Sequence, residues 1–179
     1  PHDSTRLDVL HDIARLDQQT PVFLYYESKL LQEATAQNNL RYQSLATYEH
    51  IIYFFNKLDL VRVTQWMGKM ENLAEKHNYY NDYFKAKKLQ IEMYTINQQI
   101  EFAIYEAKIM YEKAKKLNDR NGMREACLCL MTSYIATLRY EEGIQALEEA
   151  FQLMSPQDSP MDKISLLSHI YQYICLHGS

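Results

Sequence analysis

Three groups of residues are of types that could do chemistry, and their spacing decides how far each can go. Cys127 and Cys129 lie two apart. On a helix such side chains point about 200° apart, so they neither bond to each other nor share a metal easily, and both read as small core residues. Cys175 makes the cysteine count odd, at 3, which suits a reducing compartment, although a secreted chain also carries buried thiols. The histidines, His2, His11, His50, His77, His169 and His177, show no paired spacing with carboxylates of the kind a zinc site needs, so neither a metal nor a cofactor is expected. Gly68, Gly122, Gly143 and Gly178 do not cluster, which argues against a phosphate-cradling loop. Without a spaced set of acid, base and nucleophile the chain reads as non-enzymatic. The alternative is an enzyme using Tyr, His and Glu residues of a groove, which buried, perturbed carboxylates beside His50 or His169 would favour.

Charge and aromatic content bound the partners. Lys85-Ala86-Lys87-Lys88 and Lys113-Ala114-Lys115-Lys116 could form a basic patch for an acidic partner, but they read first as solvated helix faces, and the second cluster also suits a helix C-terminus. Trp66 with Tyr53, Phe54 and Phe55 could face a ligand, but the helical period sends Tyr53 and Phe55 to different faces, which puts some of these rings in the core. A formal net charge of −4 argues against a general nucleic-acid binder, which needs excess Lys and Arg to displace phosphate counterions. No run approaches the ~18 consecutive apolar residues of a membrane span, and no basic-then-apolar signal peptide is present. With 15 Tyr against 1 Trp, many aromatic rings carry a hydroxyl that can stay wet, as an open, elongated structure needs.

The elements that position these residues are helices. Pro1, Pro21, Pro156 and Pro160 leave the stretch between 22 and 155 free of proline. Thr20-Pro21 and Ser159-Pro160 each read as an N-cap followed by proline at the first helical position. The 3.6-residue period predicts helix pairs at about 4–36, 40–77, 81–117 and 122–154, with helices near 4–16, 21–36, 40–57, 59–77, 81–97, 101–117, 122–138 and 141–154. An unpaired last helix is expected at about 160–176, and no segment alternates long enough to be a strand. Laid on itself in steps of 40, the sequence aligns Ala46, Ala86 and Ala126; Phe54, Tyr94 and Tyr134; Leu60, Ile100 and Tyr140; Val63, Ala103 and Gly143; Thr64, Ile104 and Ile144; Met67, Ala107 and Leu147; and Met70, Met110 and Ala150. A repeat of this length predicts an all-α solenoid in which neighbouring pairs bury a shared core. The apolar residues of the last helix cover most of its circumference, so either further helices follow or this end docks on another chain as a homodimer contact; with Pro1 as the first residue, the chain reads as a single domain, 1–179, cut from a longer protein.

The third repeat resembles a tetratricopeptide repeat (TPR). Tyr134, then Tyr140-Glu141-Glu142-Gly143-Ile144, Leu147, Ala150 and Ser155-Pro156, follow the family's aromatic, its entry into the second helix, its large apolar residue, its alanine and its closing proline. The second repeat keeps Tyr94, Ile100, Ala103 and Ile104, and the first keeps Phe54, Leu60 and Met67 with Val63 in place of the small residue. Ile51, Ile91 and Met131 stand where the family has a glycine for close helix packing, and the unit is longer than usual. The resemblance implies a right-handed superhelix of stacked antiparallel helix pairs whose first helices line a concave groove for a protein or peptide partner. It places Leu45, Tyr48, Ile52, Phe55, Lys85, Lys88, Glu92, Glu125, Leu128 and Thr132 in that groove. The family's chaperone-binding members grip a terminal carboxylate with Lys, Arg and Asn; here only Lys85 and Lys88 could serve, so that ligand is not expected. The segments 41–48, 83–88 and 139–151 also resemble TPR-like sensor regions of bacterial two-component histidine kinases. This implies an extracytoplasmic segment of a membrane sensor, with a cytoplasmic adaptor or peptide receptor as the alternative.

Overall fold

Helix after helix in this chain ends on the same backbone device. The computed structural model describes residues 4–16, 20–155, 157–160, 163–164, 167–168 and 171. Among the described residues there are eight helices and no strand: α1 (Ser4–Arg15), α2 (Pro21–Ala36), α3 (Leu40–Asn56), α4 (Leu60–His77), α5 (Tyr83–Ile96), α6 (Ile100–Lys116), α7 (Arg120–Ala136) and α8 (Tyr140–Gln152). Asn38, Leu58, Asn78, Gln98, Asn118 and Leu138 have positive φ, each 20 residues after the one before. The amide that follows each of them turns back to a carbonyl five residues earlier: Asn39 to Ala34 at 2.8 Å, Asp59 to Phe54 at 3.0 Å, Tyr79 to Ala74 at 3.0 Å, Gln99 to Tyr94 at 2.8 Å, Asp119 to Ala114 at 2.9 Å and Arg139 to Tyr134 at 2.9 Å. These are Schellman closures, which satisfy carbonyls that the helix end would otherwise orphan. Asparagine tolerates the left-handed region; leucine and glutamine are held there by the closure.

At several of these links the next helix starts at once. Asn39, Asp59 and Asp119 accept hydrogen bonds from the amides of Tyr42, Arg62 and Gly122 at 3.3, 3.0 and 2.9 Å, so the residue after the turn caps the following helix. Asp119 therefore starts α7 two residues before the expected 122, and Gly122 lies inside the helix, buried, rather than marking a turn. Thr20 holds the N-cap position of α2 with Pro21 inside the first turn, but its side chain makes no capping bond. The connection after α4 differs: Asn78 is followed by Tyr79–Asp82 before α5 begins.

The chain forms two compact units, Pro1–Met93 and Tyr94–Ser179, with the boundary inside α5. In the first, Leu7, Leu30, Ala34, Tyr42 and Ala46 bring α1, α2 and α3 together, with Leu10, Leu31 and Leu45 packed against them. Ile51 of α3 and Val63, Met67, Met70 and Ala74 of α4 are also buried. In the second, Cys127, Leu128 and Ala150 join α7 to α8, with Tyr111, Leu147, Leu153 and Met154 around them. The aligned columns 46/86/126 and 70/110/150 are buried throughout; Thr64 is exposed where Ile104 is buried. Ile51, Ile91 and Met131 are buried despite their bulk. Gly143 of α8 lies close against α7, where an added Cβ would lie 3.3 Å from Ile135 Cγ1 and 3.6 Å from the Met131 carbonyl oxygen. The expected last helix, 160–176, falls largely outside the described residues, as do His2, His169, Cys175 and His177. No helix among the described residues is long and apolar enough to cross a membrane.

Candidate protein-binding face

Spacing along α3 puts Leu45, Tyr48, Ile52 and Phe55 on one side of the helix, since steps of three and four residues return to the same face. All four are half-buried. The neighbouring positions Ala46, Thr47, His50, Ile51, Tyr53 and Phe54 are buried, so the core anchors the helix and leaves this stripe partly open. On α5, Lys85 is exposed and Lys88 and Glu92 are half-buried. The structure brings Tyr48 into the field of this second set. Its hydroxyl is pushed up in pKa, first by burial, then by the charges of Glu49 and Asp82, with Lys88 opposing and Glu92 adding. An apolar stripe thus adjoins a charged one within the first unit. The remaining predicted groove residues lie on α7 in the second unit: Glu125 is half-buried and 4.0 Å from Arg124 Nη2, Thr132 is exposed and donates to the Leu128 carbonyl at 2.9 Å, and Leu128 is buried in the core.

Polar groups that the sequence did not single out hold the face in place. Ser44 donates to Asp82 Oδ2 at 2.8 Å. The irregular link after α4 carries this carboxylate, whose Oδ1 lies 3.6 Å from Lys85 Nζ. Lys87, in the cluster expected to be a solvated face, is buried, and its ammonium donates to Glu71 Oε1 at 3.0 Å. Lys87 belongs to neither the basic patch nor the solvated face; its helical position, between Tyr83 and Ile91 at steps of four, places it on the buried side.

His50 is fixed by its surroundings. Its Nδ1 donates to the Ala46 carbonyl at 2.7 Å, which leaves Nε2 to accept from the Ser28 hydroxyl at 3.3 Å. Its ring stacks on Trp66 at 3.8 Å, and Lys69 sits 3.5 Å from the Trp66 centroid. Burial pushes His50 down to about 4, so the ring is neutral at physiological pH. Trp66 thus pairs with a histidine, while Tyr53 stacks on Phe23 and meets Phe54 edge-on.

The carboxyl of Glu49, next to His50 in the chain, is pushed up by burial, and the larger perturbation is at Glu27 on α2. Glu27 is 0% exposed. Burial, helped by the charge of Glu49 and opposed by Arg15, pushes its carboxyl up to about 8. His11 Nδ1 lies 3.4 Å from Glu27 Oε1, yet the two are not aligned for a hydrogen bond, and neither Glu27 oxygen has a hydrogen-bond partner. Burial also lowers His11. A protonated acid therefore faces a neutral imidazole inside the packing of α1 and α2. Such a pair can exchange a proton, but enclosure keeps Glu27 from touching a substrate, and its pKa follows from burial.

In the second unit Asp158 gathers three donors: Arg120 at 2.9 Å, Arg124 at 3.2 Å and the Ser155 amide at 2.6 Å. Cys127 and Cys129 are buried thiols outside any disulfide, and burial pushes Cys127 up to about 12, away from thiolate chemistry. No group of His, Cys, Asp and Glu among the described residues could hold a metal ion. No protein-family model matches the chain, and no curated protein matches it significantly.

Proposed function

We propose that the chain is a TPR-like protein-binding domain, a right-handed helical-repeat structure with a step of about 40 residues, which receives an extended peptide or a partner helix in its groove. The observation that carries this reading is the half-open stripe Leu45, Tyr48, Ile52 and Phe55 beside Lys85, Lys88 and Glu92. Apolar side chains anchored by a packed helix and bordered by charges give a peptide both area and register. The recurrence of left-handed helix ends at 20-residue intervals supports the repeat. By resemblance to kinase sensor segments, the partner is regulatory and the domain is the sensory or interaction region of a bacterial signalling protein.

A random-peptide phage library selected on the chain, followed by affinity measurement, tests the binding face. Tyr48→Ala with Phe55→Ala is expected to weaken the selected peptides at least about tenfold with helicity intact by circular dichroism. Unchanged binding by that variant removes the groove. An immunoblot of fractionated source cells tests the sensor reading: a product much larger than 21.3 kDa in the membrane fraction supports it, and a soluble cytoplasmic product of about this size leaves an adaptor.

A further inference from the structure

The exposed face of α6 departs from the corresponding faces of α4 and α8. Phe102, Tyr105 and Ile109 are 60%, 61% and 36% exposed. Forty residues earlier the same positions on α4 are Arg62, Gln65 and Lys69, and forty residues later on α8 they are Glu142, Gln145 and Glu149. Helix faces turned to water are built from residues of that second kind. On α6 all three positions are apolar or aromatic, at the steps of three and four that form a seam for another helix. Glu112 and Lys116 continue the line. The Phe102 ring is braced by stacking on Tyr94 at 5.9 Å, so the seam is held rather than splayed.

Charge narrows the partner. A shallow depression of about 420 Å³ is lined by Tyr105, Ile109, Lys108, Glu112, Lys113 and Lys116. Three ammonium groups against one carboxylate border it, in a chain whose formal net charge is −4. Lys113 and Lys116 also suit the C-terminal end of the helix dipole, but Lys108 stands two turns before that end and does not. A second copy pairing through α6 about a two-fold axis near Ile109 would set Lys108 close to its own copy, which disfavours self-association.

We propose that this face of α6 docks an acidic amphipathic helix of a partner protein, its apolar seam covering Phe102, Tyr105 and Ile109 and its flanking carboxylates meeting Lys108, Lys113 and Lys116. The surface is separate from the groove of the first unit and does not rest on the function proposed for it.

Two synthetic helical peptides with the same leucine heptad seam, one flanked by glutamate and one by lysine, serve as probes against the full chain in a fluorescence-anisotropy titration. The glutamate peptide binds at least about tenfold more tightly than the lysine peptide, and added salt weakens it. Phe102→Ser with Ile109→Ser lowers its affinity at least about tenfold, as does the charge reversal of Lys108, Lys113 and Lys116 to Glu, which leaves the apolar residues in place. The reversed chain gains affinity for the lysine peptide. Tyr48→Ala with Phe55→Ala binds the glutamate peptide like the parent chain, which separates this site from the groove. Equal affinity for both peptides, no binding at about 1 mM peptide, or unchanged binding by both α6 variants overturns the proposal. So does sedimentation showing self-association that the α6 substitutions abolish, or a preference for anionic phosphatidylglycerol vesicles over the glutamate peptide.

Discussion

The first unit encloses Glu27, His50, Asp82 and Lys87 among its apolar side chains, whereas the second encloses mainly alanine, cysteine and methionine, with Arg124 tied to Asp158. Both are built from helices that end in the same left-handed turn, so the backbone plan does not set the difference. Side chains do. In the first unit, packing depends on which groups carry a proton; in the second, on small residues that let helices approach and on one well-satisfied carboxylate. A titration should therefore disturb the first unit, and changes in side-chain volume the second.

The largest effect is expected at Asp158. Asp158→Ala removes the carboxylate that accepts from Arg120, Arg124 and Ser155 and leaves the buried Arg124 charge poorly compensated, at a cost of roughly 3 kcal/mol. Hydrogen exchange read on α7 and α8 peptides checks this, and an effect confined to the first unit would break the comparison.

Next comes the pH dependence of the first unit. Glu27 sits at about 8 against an ordinary 4.5, so the folded state holds a proton that the unfolded chain has released. Stability then falls as pH rises between those values, by at most about 1.4 kcal/mol per unit. His50 runs the other way: held near 4 against an ordinary 6.5, it resists a proton that the unfolded chain takes up, so stability is lost as pH falls from 6.5 towards 4. Between 4.5 and 6.5 the two slopes oppose each other, giving a plateau with losses on both sides. Glu27→Gln should flatten the alkaline limb and stabilise the first unit at pH 8 by about 1–3 kcal/mol, read from urea midpoints and exchange on α2 and α3. His50→Gln should flatten the acid limb. A Glu27→Gln chain with an undiminished alkaline slope would show that another group carries it.

Much of this was legible in the sequence because it depends on local pattern. Helix bounds followed from the period, and Asn38, Asn78 and Asn118 sit where a left-handed residue is needed. Leu58, Gln98 and Leu138 gave no such sign, because the closing hydrogen bond holds them there rather than their own preference. Gly122 looked like a turn and proved to be a small buried residue, since Asp119 caps first. The stripe on α3 came from the resemblance and not from the period, and the structure adds that its four residues are half-buried. The buried charges were not, although a signal existed: Glu27 stands on the line Phe23, Leu30, Ala34 at helical steps, inside a face otherwise apolar. Composition reads such a residue as solvated, and only its register says otherwise. Asp82 was hidden differently, because its partner Ser44 lies 38 residues away and their meeting depends on the irregular link after α4.

The smallest expected effect sharpens the comparison with a single methyl group. Gly68 lies inside α4, and a Cβ added there meets nothing within 4 Å. Gly68→Ala therefore gains the helical preference of alanine without a clash, raising stability by about 0.5–1 kcal/mol. At Gly143 the added Cβ falls 3.3 Å from Ile135 Cγ1, where α8 rests on α7, so the same propensity gain is offset by crowding against a neighbour that must shift. Gly143→Ala should leave stability unchanged or lower it. Matched denaturation of the two variants decides the point: equal gains would mean that α7 and α8 are no more tightly fitted than an open helix face, and the volume-limited packing assigned to the second unit would be wrong.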